Sequence, residues 1–167
     1  MLRTECPNPQ FSREGITILN GKWKFYSPSV PDASEIEVPF APESVLSGIN
    51  RTDFINDCEY TRTFTAEKPS GGERLFIRFG AVNYEATVFI NGKRVGVHRG
   101  GYTPFGFDIS KAVESGENEI RVLVHNDVTE NIPTGKQSAK RESFGCFYTR
   151  VTGIWQPVWL ERTPENY

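Results

Sequence analysis

At 167 residues the chain has room for one domain, and a chain of this size buries roughly 70% of its unfolded surface, enough for a core without staples. A formal net charge of -2 gives no basic footprint for nucleic acid, and no apolar run has the length of a membrane span or a signal peptide. Cys6, Cys58 and Cys146 are widely spaced and the two histidines lie far apart, so zinc is not expected and the cysteines read as reduced, buried thiols of a cytoplasmic protein.

Residues 21–27, GKWKFYS, open the first clear strand, with Trp23 and Phe25 on one face. Residues 36–42, IEVPFAP, are extended, and their two prolines place them at an edge or a strand end, because proline cannot donate to a ladder. In EYTRTFTA, residues 59–66, Tyr60, Arg62 and Phe64 alternate with threonines. ERLFIRFGAVN, residues 73–83, sets Leu75, Ile77 and Phe79 against Arg74 and Arg78, the period-two pattern of a sheet with one wet face. In EATVFINGKRVGVH, residues 85–98, Asn91-Gly92 sits between two apolar runs and predicts a type I′ hairpin.

The next stretch, HRGGYTPFGFD at residues 98–108, crowds aromatics among glycines. Gly100-Gly101 permits a sharp bend, and Pro104 argues against a central strand. Tyr102, Phe105 and Phe107 are expected to fold back as a lid over the sandwich; a sugar-stacking platform is the alternative. SKAVESGEN, residues 110–118, predicts a single helical turn capped by Asp108 or Ser110 and stopped at Gly116. NEIRVLVHND turns Ile120, Val122 and Val124 inward. GIWQPVWLER, residues 153–162, alternates Ile154, Val158 and Leu160 against Trp155 and Trp159, both assigned to packing. Seven or more strands with almost no helix predict an all-β sandwich or barrel; periodicity does not order the strands.

Motifs for chemistry are sparse. No GxSxG elbow occurs. PTGKQS, residues 133–138, departs from a phosphate loop at Gln137 and Glu130 and reads as a polar loop. No spacing singles out a pair of carboxylates for glycoside chemistry, and no dense acidic run suggests calcium. No cofactor and no metal are expected.

Taken together, LNGKWKF, VFINGKRVGVHRGGYTPFGFDI, GENEIRVLVHND and YTRVTGIWQPVWLE resemble the N-terminal sugar-binding domain of glycoside hydrolase family two, the family of β-galactosidases, β-glucuronidases and β-mannosidases. The opening RTECPNPQFSREGITILNG is similar as well, with Ile16 where tryptophan is frequent. The resemblance implies a jelly-roll-like β-sandwich of the galactose-binding kind, filling residues 1–167 as a single domain. In the family an immunoglobulin-like sandwich and a (β/α)₈ barrel follow, and the barrel holds both catalytic glutamates of the retaining mechanism. The chain is therefore expected to be a non-catalytic first domain, excised or from a truncated frame, of a parent that is β-galactosidase-like by preference. A free-standing lectin-like protein is the alternative. Expected partners are the other domains of the parent chain and carbohydrate; nucleic acid and membrane are not, and an oligomer is left open.

In the family, loops of this domain reach the sugar. Two regions correspond, RTDFINDCEY at residues 51–60 and SFGCFYTRVTG at residues 143–153. By the resemblance, aligned on Gly153-Ile154, the substrate-contacting aspartate of glucuronidases falls near Phe147; no acid is there, so that role is not carried over and glucuronide specificity is weakened. Asp53, Asn56, Asp57, Tyr148 and Arg150 are the sugar-side candidates, because carboxylates, amides and guanidinium groups pair with hydroxyls and an aromatic ring packs under a sugar's apolar face. Each also has a plain structural reading: Asp53 and Asn56 as turn formers, Asp57 as a surface charge, Tyr148 as core, Arg150 as an ion-pair partner for a neighbouring domain. Apolar side chains are expected to be exposed near YTRVTGIW or the HRGGY corner.

Overall fold

A computed structural model describes residues 15–127 and 129–166; Cys6 lies outside them. The strands are β1 (Ile16–Ile18), β2 (Gly21–Tyr26), β3 (Glu35–Val38), β4 (Asp57–Ala66), β5 (Glu73–Phe79), β6 (Val82–Asn83), β7 (Glu85–Ile90), β8 (Lys93–Arg99), β9 (Phe105–Asp108), β10 (Gly116–His125), β11 (Gly153–Ile154) and β12 (Val158–Pro164). One antiparallel sheet runs β3-β2-β4-β10-β7-β8 and the other β1-β12-β5-β9. Side chains alternating inward from both build one core: Trp23, Tyr60, Ile77, Phe79, Val88 and Val122 are all buried. The molecule is a β-sandwich, with β3 on an edge and Pro39 just past its end, where a proline costs no ladder hydrogen bond.

The hairpin is the expected one: Asn91 and Gly92 have φ of 49° and 75°, and β7 pairs with β8 across them. The Asn91 amide donates to Ala112 O at 3.0 Å and Asn118 Oδ1 at 2.7 Å, and its carbonyl accepts from Glu119 N at 2.9 Å. The tip is thereby tied to the turn before β10. That turn is single, with Val113 N donating to Ile109 O and Asp108 Oδ1 accepting from Ser110 N. Gly116 does not stop it but opens β10. A short 3-10 turn at Val45–Ser47, unsignalled in the sequence, is capped by the Ser44 hydroxyl.

Three expectations need correction. The run 153–162 is two strands, because Trp155, Gln156 and Pro157 separate β11 from β12; Trp159 is buried, in keeping with its assignment to packing. Cys58 is a buried thiol but Cys146 is exposed. The corner after β8 holds for Phe105 and Phe107, which enter edge strand β9; Phe105 stacks between Phe79 and His98, with ring centroids 4.9 and 4.0 Å away. Tyr102 leaves the lid and stands 48% exposed. Among the described residues no helix is long and apolar enough to cross a membrane.

Candidate functional site

The two-residue ladder β6–β11, pairing Asn83 with Gly153 and Val82 with Ile154, returns the chain to the sandwich after the long connection of residues 126–152. It sets that connection beside the corner at Gly101. Gln137, at its middle, is buried and clamps the far end: its Oε1 accepts from Val151 N at 2.8 Å and its Nε2 donates to Thr134 O at 3.0 Å. PTGKQS is thus a polar loop with a structural task.

Arg150 is the hinge pin of this surface. It is 3% exposed, lies over the Phe54 ring with its guanidinium carbon 4.1 Å from the centroid, and donates to the carbonyls of Ser138, Lys140 and Thr52. One cation therefore fastens segment 51–55 to residues 138–150. Next to it Glu43 is buried and accepts from Thr152, at 2.6 Å from the hydroxyl and 3.2 Å from the amide. Burial pushes its carboxyl above the ordinary carboxylate range, with the Thr152 hydrogen bonds opposing.

The five sequence candidates fall into two groups. Asp53 faces Arg141 at 3.2 Å, and with Arg150 and Tyr148 it belongs to the surface around residues 138–150. Tyr148 is 44% exposed, not core, and its hydroxyl lies 3.3 Å from that of Tyr102. Asn56 and Asp57 turn instead toward the end of β10. Asn56 Nδ2 donates to Asp127 at 3.2 Å, and Asp57 meets His125 Nδ1 at 2.9 Å. That carboxylate holds the His125 imidazole above its ordinary value, helped by Glu130 and opposed by desolvation. Among the described residues no group of three or more His, Cys, Asp or Glu is placed to hold a metal.

Sequence reasoning missed Glu43, Gln137 and Asn83, which are polar, buried and outside any periodic pattern. It also missed the cavity of about 230 Å³ between Asn83, Gly101, Tyr102, Tyr148, Val151 and Trp155. The expected exposure near the corner and YTRVTGIW is found at Tyr102 and Tyr148, and it extends to Phe54, Phe144 and Phe147.

Two antiparallel sheets over one core, with a loop margin rich in aromatics, define a β-sandwich domain. The chain belongs to glycosyl hydrolases family 2, whose sugar binding domain matches residues 45–164. A β-glucuronidase of Paenibacillus borealis is 27% identical over 183 residues, covering 94% of this chain and 30% of that protein. A β-galactosidase of Thermoanaerobacter pseudethanolicus is 36% identical over 104 residues, covering 61% of this chain and 13% of that protein. The solved β-D-glucuronidase of Dictyoglomus thermophilum superposes with a TM-score of 0.72 at 28% identity, covering 92% of this chain and 29% of that one. The chain thus spans about 30% of the length of the first of these relatives.

Proposed function

We propose that this chain serves as a non-catalytic, carbohydrate-associated domain of a longer retaining β-glycosidase, supporting the catalytic part and lending loops to its sugar pocket. The observation that carries this reading is the match to a family 2 sugar binding domain by a chain covering only 30% of such a relative. The carboxylates fit a supporting role: Asp53 is paired with Arg141 and Asp57 with the His125 imidazole, and Glu43 is buried on Thr152. None of these pairs is a free acid facing a free base across a cleft, as glycoside hydrolysis requires.

For the parent's sugar, a β-glucuronide is supported by the relatives from Paenibacillus and Dictyoglomus. A β-galactoside is supported by the 36% identical galactosidase and by Phe147, an uncharged residue where a glucuronidase is expected to place an acid. Chromogenic β-glucuronide and β-galactoside, offered to the 167-residue chain and to the full-length parent, test the whole reading. The parent is expected to turn over one of them and the chain neither. Turnover by the purified chain, abolished by changing one of its own carboxylates, would overturn the proposal.

A further inference from the structure

The cavity beside the Gly101 corner has a defined chemistry. Its walls are three aromatic rings, with Tyr102 and Trp155 edge to face at 5.9 Å and Tyr148 completing the enclosure beside Val151. The polar groups of the wall are largely occupied by one another. Trp155 Nε1 donates to Gly101 O at 2.8 Å, and Asn83 Nδ2 donates to Val151 O at 2.6 Å. The Tyr102 hydroxyl donates to Thr134 O at 2.8 Å and accepts from Gln137 Nε2 at 3.2 Å. Its one hydrogen is therefore spent, so the Tyr148 hydroxyl, 3.3 Å away, is the donor between the two phenols.

One acceptor is left over: the Tyr148 oxygen, whose lone pairs face no donor among the described residues once its hydrogen points to Tyr102. Asn83 Oδ1 also lacks a partner, but it is shut in against Gly101, where a Cβ would overlap it, and is not open to a ligand. The cavity thus offers chiefly flat aromatic walls and one free acceptor at its rim. A pyranose carries several hydroxyls that each need donors and acceptors, so most would be stranded there, at a cost for each buried unpaired group. A single aromatic ring with one hydroxyl leaves nothing stranded. Size agrees: about 230 Å³ lies below the roughly 300–1,000 Å³ of drug-sized pockets.

The geometry points to this cavity as a binding site for a small aromatic alcohol, the ring held between Tyr102, Tyr148 and Trp155 and the hydroxyl donating to the Tyr148 oxygen. The site shares Tyr148 with the surface around residues 138–150 but does not depend on the proposed glycosidase role.

The test is ligand-observed saturation-transfer NMR on the 167-residue chain, with phenol, anisole and methyl β-D-galactoside as probes. Phenol is expected to bind with a Kd on the order of 1 mM, the range open to so small a ligand. Anisole, which lacks the donor, is expected to bind several-fold more weakly, and the galactoside not to compete. Tyr148→Phe, which keeps the wall and the fold, should bring phenol down to the level of anisole. Tyr148→Ala should weaken both about tenfold. Absence of phenol transfer, transfer unchanged in both variants, or displacement of phenol by the galactoside would each overturn the proposal.

Discussion

Two glycines with left-handed backbones separate the cost of conformation from the cost of space. Gly48 has φ of +82° with nothing within 4 Å of a Cβ built there, whereas Gly153, at φ +70°, would place its Cβ on the Tyr60 phenol. Tyr60 cannot retreat, since it is fully buried and packed edge to face on Phe25 at 5.2 Å. Gly48→Ala should therefore cost only the left-handed penalty, about 1–2 kcal/mol, while Gly153→Ala should add overpacking and cost about 2–5 kcal/mol in all. Urea midpoints with unchanged m-values check both. Because the Tyr60 hydroxyl is the atom a Cβ meets first, Tyr60→Phe should recover part of the loss in the double mutant, a coupling that additive sites would not show. Equal losses at the two glycines would contradict this account.

Among the elements, the Asn91–Asn118 bond makes the hairpin tip and the turn before β10 one unit. Asn118 Oδ1 accepts from Asn91 at 2.7 Å and from Glu114 N at 2.8 Å, and its amide donates to Glu114 O and Gly116 O. Asn91→Ala and Asn118→Ala should each cost about 2–3 kcal/mol, through unpaired buried groups and, at Asn91, the lost tolerance for positive φ. Together they should cost less than their sum in a double-mutant cycle read by chemical denaturation. The loop after β10 is fastened differently, by charge. His125 sits between Asp57 at 2.9 Å and Glu130 at 3.6 Å, with Asp127 also near enough to interact. Its folded pKa lies above 6.5, so the stability it adds is fully present below the unfolded value and is lost as pH rises through the folded one. Both partners are exposed, which limits the gain to a few tenths of a kcal/mol. NMR titration should give a His125 midpoint above 6.5 that falls in Asp57→Asn; a midpoint unmoved by that change would refute the pairing.

The same contrast explains what the sequence discloses. The Asn91-Gly92 hairpin and the alternation of β4, β5 and β10 are local patterns, carried by neighbours in the chain. The β6–β11 ladder joins residues 82–83 to 153–154 through two residues on each side, too short to have a period. The Trp155–Pro157 break is hidden because apolar residues continue on both sides of it. Of the candidate site, the two regions could be named only through the family resemblance. The roles within them were not legible: Arg150 is a clamp because Thr52, Ser138 and Lys140 happen to converge on it in space. Tyr148 stands half exposed on the loop that the Val151–Gln137 bond closes.

On the scale of the whole molecule, the distribution of apolar surface is uneven. Phe54 lies under the Arg150 guanidinium, Lys140 covers Phe144 at 4.3 Å, and Phe144 stacks on Phe147 with ring centroids 5.1 Å apart. With Tyr148 and Tyr102 these rings, each 37–48% exposed, form one continuous margin built on the residues that Arg150 pins. A margin of this kind is commonly an interaction surface, and in the proposed parent it is the face expected to meet the rest of the enzyme. The isolated chain should accordingly bind a hydrophobic dye such as ANS while fully folded. Replacing both Phe144 and Phe147 by serine should cut that fluorescence at least severalfold and leave the thermal midpoint nearly unchanged, because the pair packs on itself at a loop tip rather than in the core. In the full-length parent the same double substitution should lower glycosidase activity more than it lowers stability. Dye binding that persists undiminished in the double variant would place the exposed apolar surface elsewhere, and with it the docking face.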